Sequence, residues 1–188
     1  MVMFEIVALV LVAAAFLAGV AIYNRLVALD RRCAQAGIDV DVQLKLRHDL
    51  VPNLVETVKG YAVHERDALE AVIKARGAAV GAPAGPARIE AEGLLGAALG
   101  RLMMVAEAYP DLKASANFAS LQAELSDIEH RIAAARRFHN AAVTEYNTTR
   151  DQFPANFVAD TFSFAHRPDV VVPRDEGARL ETSPAVRF

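Results

Sequence analysis

Two histidine–acid pairs, His48-Asp49 and His64-Glu65, flank Pro52 in the stretch DVQLKLRHDLVPNLVETVKGYAVHE, residues 41–65. Imidazole beside carboxylate is the raw material of general acid–base work and of metal ligation. Adjacent residues on a helix, however, point about 100° apart, so neither pair can chelate one ion by itself. A di-metal centre in a helical bundle draws Glu from two helices and Glu-x-x-His from two more. No Glu-x-x-His is present, and the nearest approach is Asp127-x-x-His130. A metal-dependent enzyme built on His48, His64, His130 and nearby acids is therefore the alternative. The expected roles are hydrogen bonding on a polar face or at a helix end, and for His139 a hydrogen-bonded place in the core.

Nucleophilic chemistry has little to work with. Cys33 is the one cysteine; Arg31 and Arg32 would lower its pKa a little, but no histidine is near in sequence, and apolar packing is its expected role. No G-x-S-x-G, Walker loop or G-x-G-x-x-G occurs, and the glycines at 77, 81 and 85 lack the Lys-Ser/Thr of a phosphate cradle. No catalytic residue, cofactor or metal is expected. The polar residues left over are Asn140 and Asn147, seven apart and so on one side of a helix, with Arg47, Asn53, Glu56 and Arg136 expected to face them. Polar groups inside a bundle cost stability but fix register and helix number. A groove for a peptide or partner helix is the other reading of the same residues.

The elements that would position these groups are helices. Alanine dominates, Trp is absent and aromatics make up 7%, a composition for long helices and not for a β-sandwich. The net charge of −3 offers no basic face to nucleic acid. One cysteine excludes an internal disulfide and a multi-cysteine zinc site. FEIVALVLVAAAFLAGVAI, Phe4 to Ile22, carries a single charge, Glu5, and as a helix would be about 28 Å long, close to the thickness of a bilayer's hydrocarbon core. A buried core helix and a cleaved signal peptide are the rivals. The first would be too apolar all round for a small protein, and the second lacks a basic n-region and has too long an apolar run. An uncleaved anchor is the reading. Arg25, Arg31, Arg32, Lys45 and Arg47 follow the span and no Lys or Arg precedes it. The positive-inside rule then puts the N-terminus outside and residues 24–188 in the cytoplasm.

Behind the anchor, periodicity predicts four helical segments. The first continues the anchor from Tyr23 to about Leu50; the strand-like alternation in IDVDVQLKL has no partner strand. The second runs from Pro52 to about Ala79 on Leu54, Val55, Val58, Ala62, Leu69, Val72 and Ile73. GAAVGAPAGPA, Gly77 to Ala87, reads as a loop. A third helix spans about Ala87 to Ala108 and stops at Tyr109-Pro110; its Gly93, Gly96 and Gly100 are expected where a neighbouring helix comes close. The fourth, about Ser115 to Gln152, carries the longest seam: Phe118, Leu121, Leu125, Ile128, Ile132, Ala135, His139, Ala142, Tyr146, Thr149 and Phe153. Pro52 is either the first residue of a new helix at a hairpin corner or a kink in a continuing one, since Val51, Leu54, Val55 and Val58 stay in phase across it. The corner is expected, because it makes the segments comparable in length. The fold class is thus all-α: an anchor at 1–22, an antiparallel four-helix bundle at 23–153, and an irregular tail at 154–188.

Several of these stretches resemble the LemA family of bacterial membrane-anchored proteins. The resemblance runs through YNRLVAL (23–29), residues 41–65 quoted above, AEAYPDLKASANFASLQAELSDIEHRIAAARRFHNAAVTEYN (106–147), FPANFVA (153–159) and the closing SPAVRF (183–188). One departure is His139-Asn140, where the family pattern tends to Tyr-Asn. The resemblance implies a short N-terminal segment outside, one transmembrane helix and a helical bundle inside; it supplies no catalytic reaction, and a magnetosome relative points to membrane organisation. The expected function is a non-enzymatic, single-pass scaffold or adaptor that binds protein partners or copies of itself. A periplasmic ligand-binding module is a further alternative.

Overall fold

An apolar, alanine-rich run with no proline before position 52 contains nothing that stops a helix, and in the computed structural model the first helix does not stop. The structure describes residues 1–62 and 64–168. Helix α1 covers Val2–Lys59, 58 residues, about 87 Å of rod at 1.5 Å per residue. Residues 1–18 are exposed all round, Phe4, Leu9, Leu11, Phe16 and Leu17 among them. An apolar helix with no buried face fits a bilayer span and not a core helix. From Leu26 onward α1 acquires a buried stripe at helical spacing: Leu26, Leu29, Cys33, Ala36, Leu44, then Val51, Leu54, Val55 and Val58.

Pro52 is inside α1 and not at a corner, contrary to the sequence expectation. A proline in a helix interior costs about 3 kcal/mol. Val51, Leu54, Val55 and Val58 are all buried across it, and full burial of such side chains is worth ~1.5–3 kcal/mol each. Packing wins. Proline also lacks the N–H that would bond to the carbonyl four residues back, that of His48. Arg76 of the next helix takes the vacated place, its Nε donating to His48 O at 2.7 Å.

The chain turns instead between Lys59 and Arg66, where buried Ala62 plugs the corner. Helix α2 is Arg66–Gly81, so Gly77–Gly81, expected in a loop, are helical. Only 82–85 connect it to α3, Pro86–Glu107, with Pro86 in the first turn after Gly85 at φ 113°. That dihedral favours glycine. A single turn, α4 (Pro110–Lys113), follows the expected break at Tyr109-Pro110. Helix α5 is Ala116–Asp151, capped by Ser115 Oγ accepting from Phe118 N.

Cross-helix pairs give the directions. Thr57–Asn117, Arg47–Glu129 and Arg32–Glu145 show α5 numbers rising as α1 numbers fall, so the two run antiparallel. Asp41–Arg88 and His48–Glu92 rise together, so α3 lies parallel to α1. With α2 reversing between them, the four long helices alternate in direction around one core. It is built from Leu44, Leu50, Leu54, Val72, Leu95, Leu102, Leu112, Phe118, Leu125 and Ile132, among others. A smaller cluster nearer the anchor joins α1 and α5 alone: Leu29, Cys33, Ala36, Ala142, Val143 and Tyr146. Most of the predicted α5 seam is buried there or in the main core. Its last member, Phe153, lies past the helix end and is 80% exposed.

The glycines of α3 do not mark a close helix approach. A methyl group added at Gly93 or Gly100 would meet nothing within 4 Å, and at Gly96 only Arg47 Nη1 at 4.0 Å. The region after Phe153 is also more ordered than expected. Helix α6, Ala155–Thr161, packs on α1 and α5 with Ala155 and Ala159 buried, and the chain to Pro168 is pinned behind it. The rest of the expected tail, with SPAVRF, lies outside the described residues.

Candidate functional site

Two polar constellations stand out in a molecule otherwise held by aliphatic packing. The first is buried. Glu92 stands at the start of the apolar, glycine-rich stretch of α3, two residues after Glu90, and its spacing from Leu95 and Leu99 puts it on the core face. Its side chain is 1% exposed. Oε2 accepts from Arg47 Nη2, Oε1 is 2.9 Å from His48 Nε2, and its backbone carbonyl accepts from Arg47 Nη2 at 3.3 Å. Arg47 also reaches across to α5, where Nη1 donates to Glu129 Oε1 at 2.8 Å. One guanidinium thus ties α1 to both α3 and α5. The arrangement uses the planar fork of arginine, which can serve two carboxylates at once. Its Nε has no hydrogen-bond partner.

An open-sided cavity of about 260 Å³ adjoins this network, lined by Gly37, Asp41, Arg88, Glu92, Arg136 and His139 among others. Arg88 is paired with Asp41 at 3.0 Å. Arg136, expected opposite Asn140 and Asn147, faces this cavity with His139, which is half-buried against Gly37.

The second constellation is at the anchor end. Asn147 Nδ2 donates to Arg167 O at 2.9 Å and its Oδ1 accepts from Arg167 N at 3.1 Å. The side-chain amide thereby pairs with the chain as a backbone strand would. Tyr146 OH donates to Ala165 O at 2.8 Å. Arg150 Nε donates to Phe164 O at 2.7 Å, while its Nη2 donates to Asp160 Oδ1 at 3.0 Å. Arg167 closes the clamp on α1 through Asp30 Oδ1, Nε at 2.8 Å. The Asp30 hydrogen bond holds the Arg167 guanidinium protonated even more firmly than usual, and burial pushes the Tyr146 phenol up.

The sequence-selected residues are therefore dispersed. Arg47 is in the buried network; Asn147 is in the clamp and not opposite Arg47. Asn53 and Glu56 are exposed near the far end of α1. There Asn53 O accepts from Thr57 Oγ1 at 2.8 Å and Glu56 meets Lys59 at 3.6 Å. Asn140 is half-buried, and its Oδ1 has no hydrogen-bond partner. Pro52 acts through the carbonyl it frees. Glu92, Glu129 and Arg150 escaped notice. Glu92 shares α3 with Glu90 and Glu107; its spacing from Leu95 and Leu99 is the signal that separates it from them, and its partners are 44 and 45 residues away.

Of the histidines, His48 is buried against Glu92, while His64 and His130 are exposed on separate helix ends and faces. Among the described residues no three His, Cys, Asp or Glu side chains are grouped to hold a metal ion. Cys33 is fully buried, and burial pushes its thiol pKa up, the opposite of activation. The flanking arginines do not reverse this.

The LemA family model matches residues 36–188 of this chain. Similar curated proteins include magnetosome protein MamQ 1 and magnetosome protein MamQ 2 of Paramagnetospirillum magneticum (strain ATCC 700264 / AMB-1). Each is 28% identical over an alignment covering 73% of this chain and 60% of the relative. Magnetosome protein MamQ of Magnetospirillum gryphiswaldense (strain DSM 6361 / JCM 21280 / NBRC 15271 / MSR-1) is 26% identical with the same coverage. The alignment thus spans less than two thirds of these relatives' length.

Proposed function

This chain belongs to the LemA family, and from that premise we propose that it is a non-enzymatic, single-pass membrane scaffold or adaptor. The observation that carries the reading is the continuity of α1. One helix runs from the apolar span into the centre of the bundle, so the bundle cannot swivel independently of the anchor. Residues 23–59 alone amount to about 55 Å of rod. The helices that surround the rod leave Ile73 and Val80 on α2 and Leu94 and Met104 on α3 more than half exposed, as surfaces for a partner or a second copy. The charge network fixes the register of the helices that present those surfaces. The relatives' naming as magnetosome proteins supports a place in organising membrane-bound assemblies.

Crosslinking in native membranes tests the proposal. A scaffold gives defined higher-mass products that disappear when Leu94 and Met104 are changed to Asp; monomer alone at every crosslinker length would contradict it. The bundle is proposed to face the cytoplasm, from the arginines that follow the span. A Ser126→Cys variant in a Cys33→Ala background puts one thiol at an exposed position of α5. An impermeant maleimide labels it only after lysis if the bundle is inside. Labelling in intact cells would instead favour the ligand-binding module outside, with the Arg136–His139 cavity as its site.

A further inference from the structure

The short helix α6 lies against the end of the apolar span. Tyr23 of α1 stacks edge-on with Phe162 at 4.8 Å and with Phe164 at 5.6 Å. Just before it, Phe16, Gly19 and Val20 of α1 and Val158 and Phe162 line an open apolar groove of about 300 Å³. From Phe16 to Ile22 is about 9 Å along a helix axis, so α6 overlaps the last turns of the segment that would sit in hydrocarbon.

The helix is two-faced. Ala155 and Ala159, one turn apart, are buried against the bundle, and Asp160 is held to Arg150 on α5. Phe157, two residues from each alanine and so on the other side of the helix, is 65% exposed; Phe153 and Phe162 at its two ends are 80% and 59% exposed. Phe153 and Phe157 lie edge-to-face at 5.9 Å. Three exposed phenylalanines in ten residues would be a liability in water. The clamp of Tyr146, Asn147 and Arg150 holds them in one place and does not let them fold under the bundle.

We propose that α6 and its flanking phenylalanines form a second membrane contact, an interfacial wedge in the same leaflet where the anchor emerges, with Phe153, Phe157 and Phe162 among the lipid headgroups and upper acyl chains. The occupant follows from continuity: the wedge extends the lipid-facing surface of α1 sideways at the same depth, and an interfacial helix buries its apolar face about 5–10 Å, the overlap seen here. Phenylalanine is common on the apolar face of interfacial helices, and Tyr23, stacked on Phe162 and Phe164, is of the type enriched at the membrane surface. The bundle would then be fixed in tilt and rotation on the bilayer as well as in position. The proposal rests on the reading of residues 4–22 as a span.

The chain contains no tryptophan, so single replacements report depth without background. Phe16→Trp, Phe157→Trp and Phe138→Trp are prepared in the full chain, checked for unchanged helicity, and reconstituted in phosphatidylcholine–phosphatidylglycerol vesicles with brominated acyl chains. Phe138 lies under the Arg32 guanidinium, about 15 Å or more beyond the span along α1. The wedge predicts that Phe157→Trp is quenched at least about five-fold more strongly than Phe138→Trp, as expected for a helix within acyl-chain reach. Quenching of Phe16→Trp with none at Phe157→Trp overturns the wedge and leaves the anchor standing. An unquenched Phe16→Trp overturns the anchor reading and the wedge with it. Quenching at position 157 that appears only on dilution of the protein into excess lipid would assign the face to a second copy, which also overturns the proposal.

Discussion

Arg47→Met leaves the Glu92 carboxylate with His48 as its one remaining side-chain partner, inside a core where it is 1% exposed. Solvent cannot compensate there. Removing one member of a buried ion pair typically costs about 3–5 kcal/mol, a large share of the ~5–15 kcal/mol that holds a domain folded. At a urea slope of about 2 kcal/mol per M, the midpoint should fall by about 2 M. The Arg47–Glu129 bond contributes less to this figure: the Arg47 side chain is 4% exposed, but the Glu129 side chain is 43% exposed and solvent screens its charge. Glu129→Gln should therefore shift the midpoint by no more than about 0.5 M. The triple change Arg47→Met, His48→Leu, Glu92→Met removes all the buried charge and keeps the volume. It should return stability to the parent value or above it. The assay is urea unfolding of the full chain in detergent, followed by helical circular dichroism. If Arg47→Met costs less than about 1 kcal/mol, or the triple variant is as unstable as the single one, the network is not the buried, mutually dependent unit described here.

Arg76→Met should cost about 1–3 kcal/mol by orphaning His48 O, and should cost nearly nothing in a Pro52→Ala background, where an amide N–H replaces it; a double-mutant cycle by urea unfolding measures the coupling. Cys33 has its thiol pKa raised by burial, so its folded form keeps the proton and its contribution to stability is full below the ordinary thiol pKa of about 8.5, falling as pH rises through the raised value. The margin of parent over Cys33→Ala in urea midpoint should accordingly shrink on going from neutral to strongly alkaline pH, and a margin that grows would contradict the assignment. Arg150→Met removes the donors to Phe164 O and Asp160; amide exchange at residues 159–167 should accelerate by about ten-fold or more, the release of a locally stable unit, with no change in the α1–α5 core.

How much of this could be read from residues alone depends on the range of the forces involved. The apolar span, the stop at Tyr109-Pro110 and the α5 seam are written in local pattern, and they appear where expected. A corner at Pro52 would make the segments comparable in length, but no local pattern weighs that against the burial of Val51, Leu54, Val55 and Val58 on one continuing rod, which outweighs proline's cost. Gly93 and Gly100 looked like contact points, yet only the assembled helices reveal that they face outward. Glu92 is one of three glutamates in α3, and what distinguishes it, the pairing with Arg47 and His48, comes from another helix. The clamp was least legible. Asn147 was noticed for its spacing from Asn140, whereas its partners are backbone groups of Arg167, a kind of contact that no side-chain pattern announces.

A scaffold of this kind requires α1 to be a single rod from the bilayer into the bundle. Spin labels at Asn24→Cys and Lys59→Cys, both exposed positions, in a Cys33→Ala chain reconstituted in lipid nanodiscs, measure this by pulsed dipolar spectroscopy. A continuous helix separates the two backbones by about 52 Å, whereas a hairpin corner at Pro52 would bring them to about 30 Å. A distribution centred near the longer distance is the expected result, and one centred near the shorter would contradict the account.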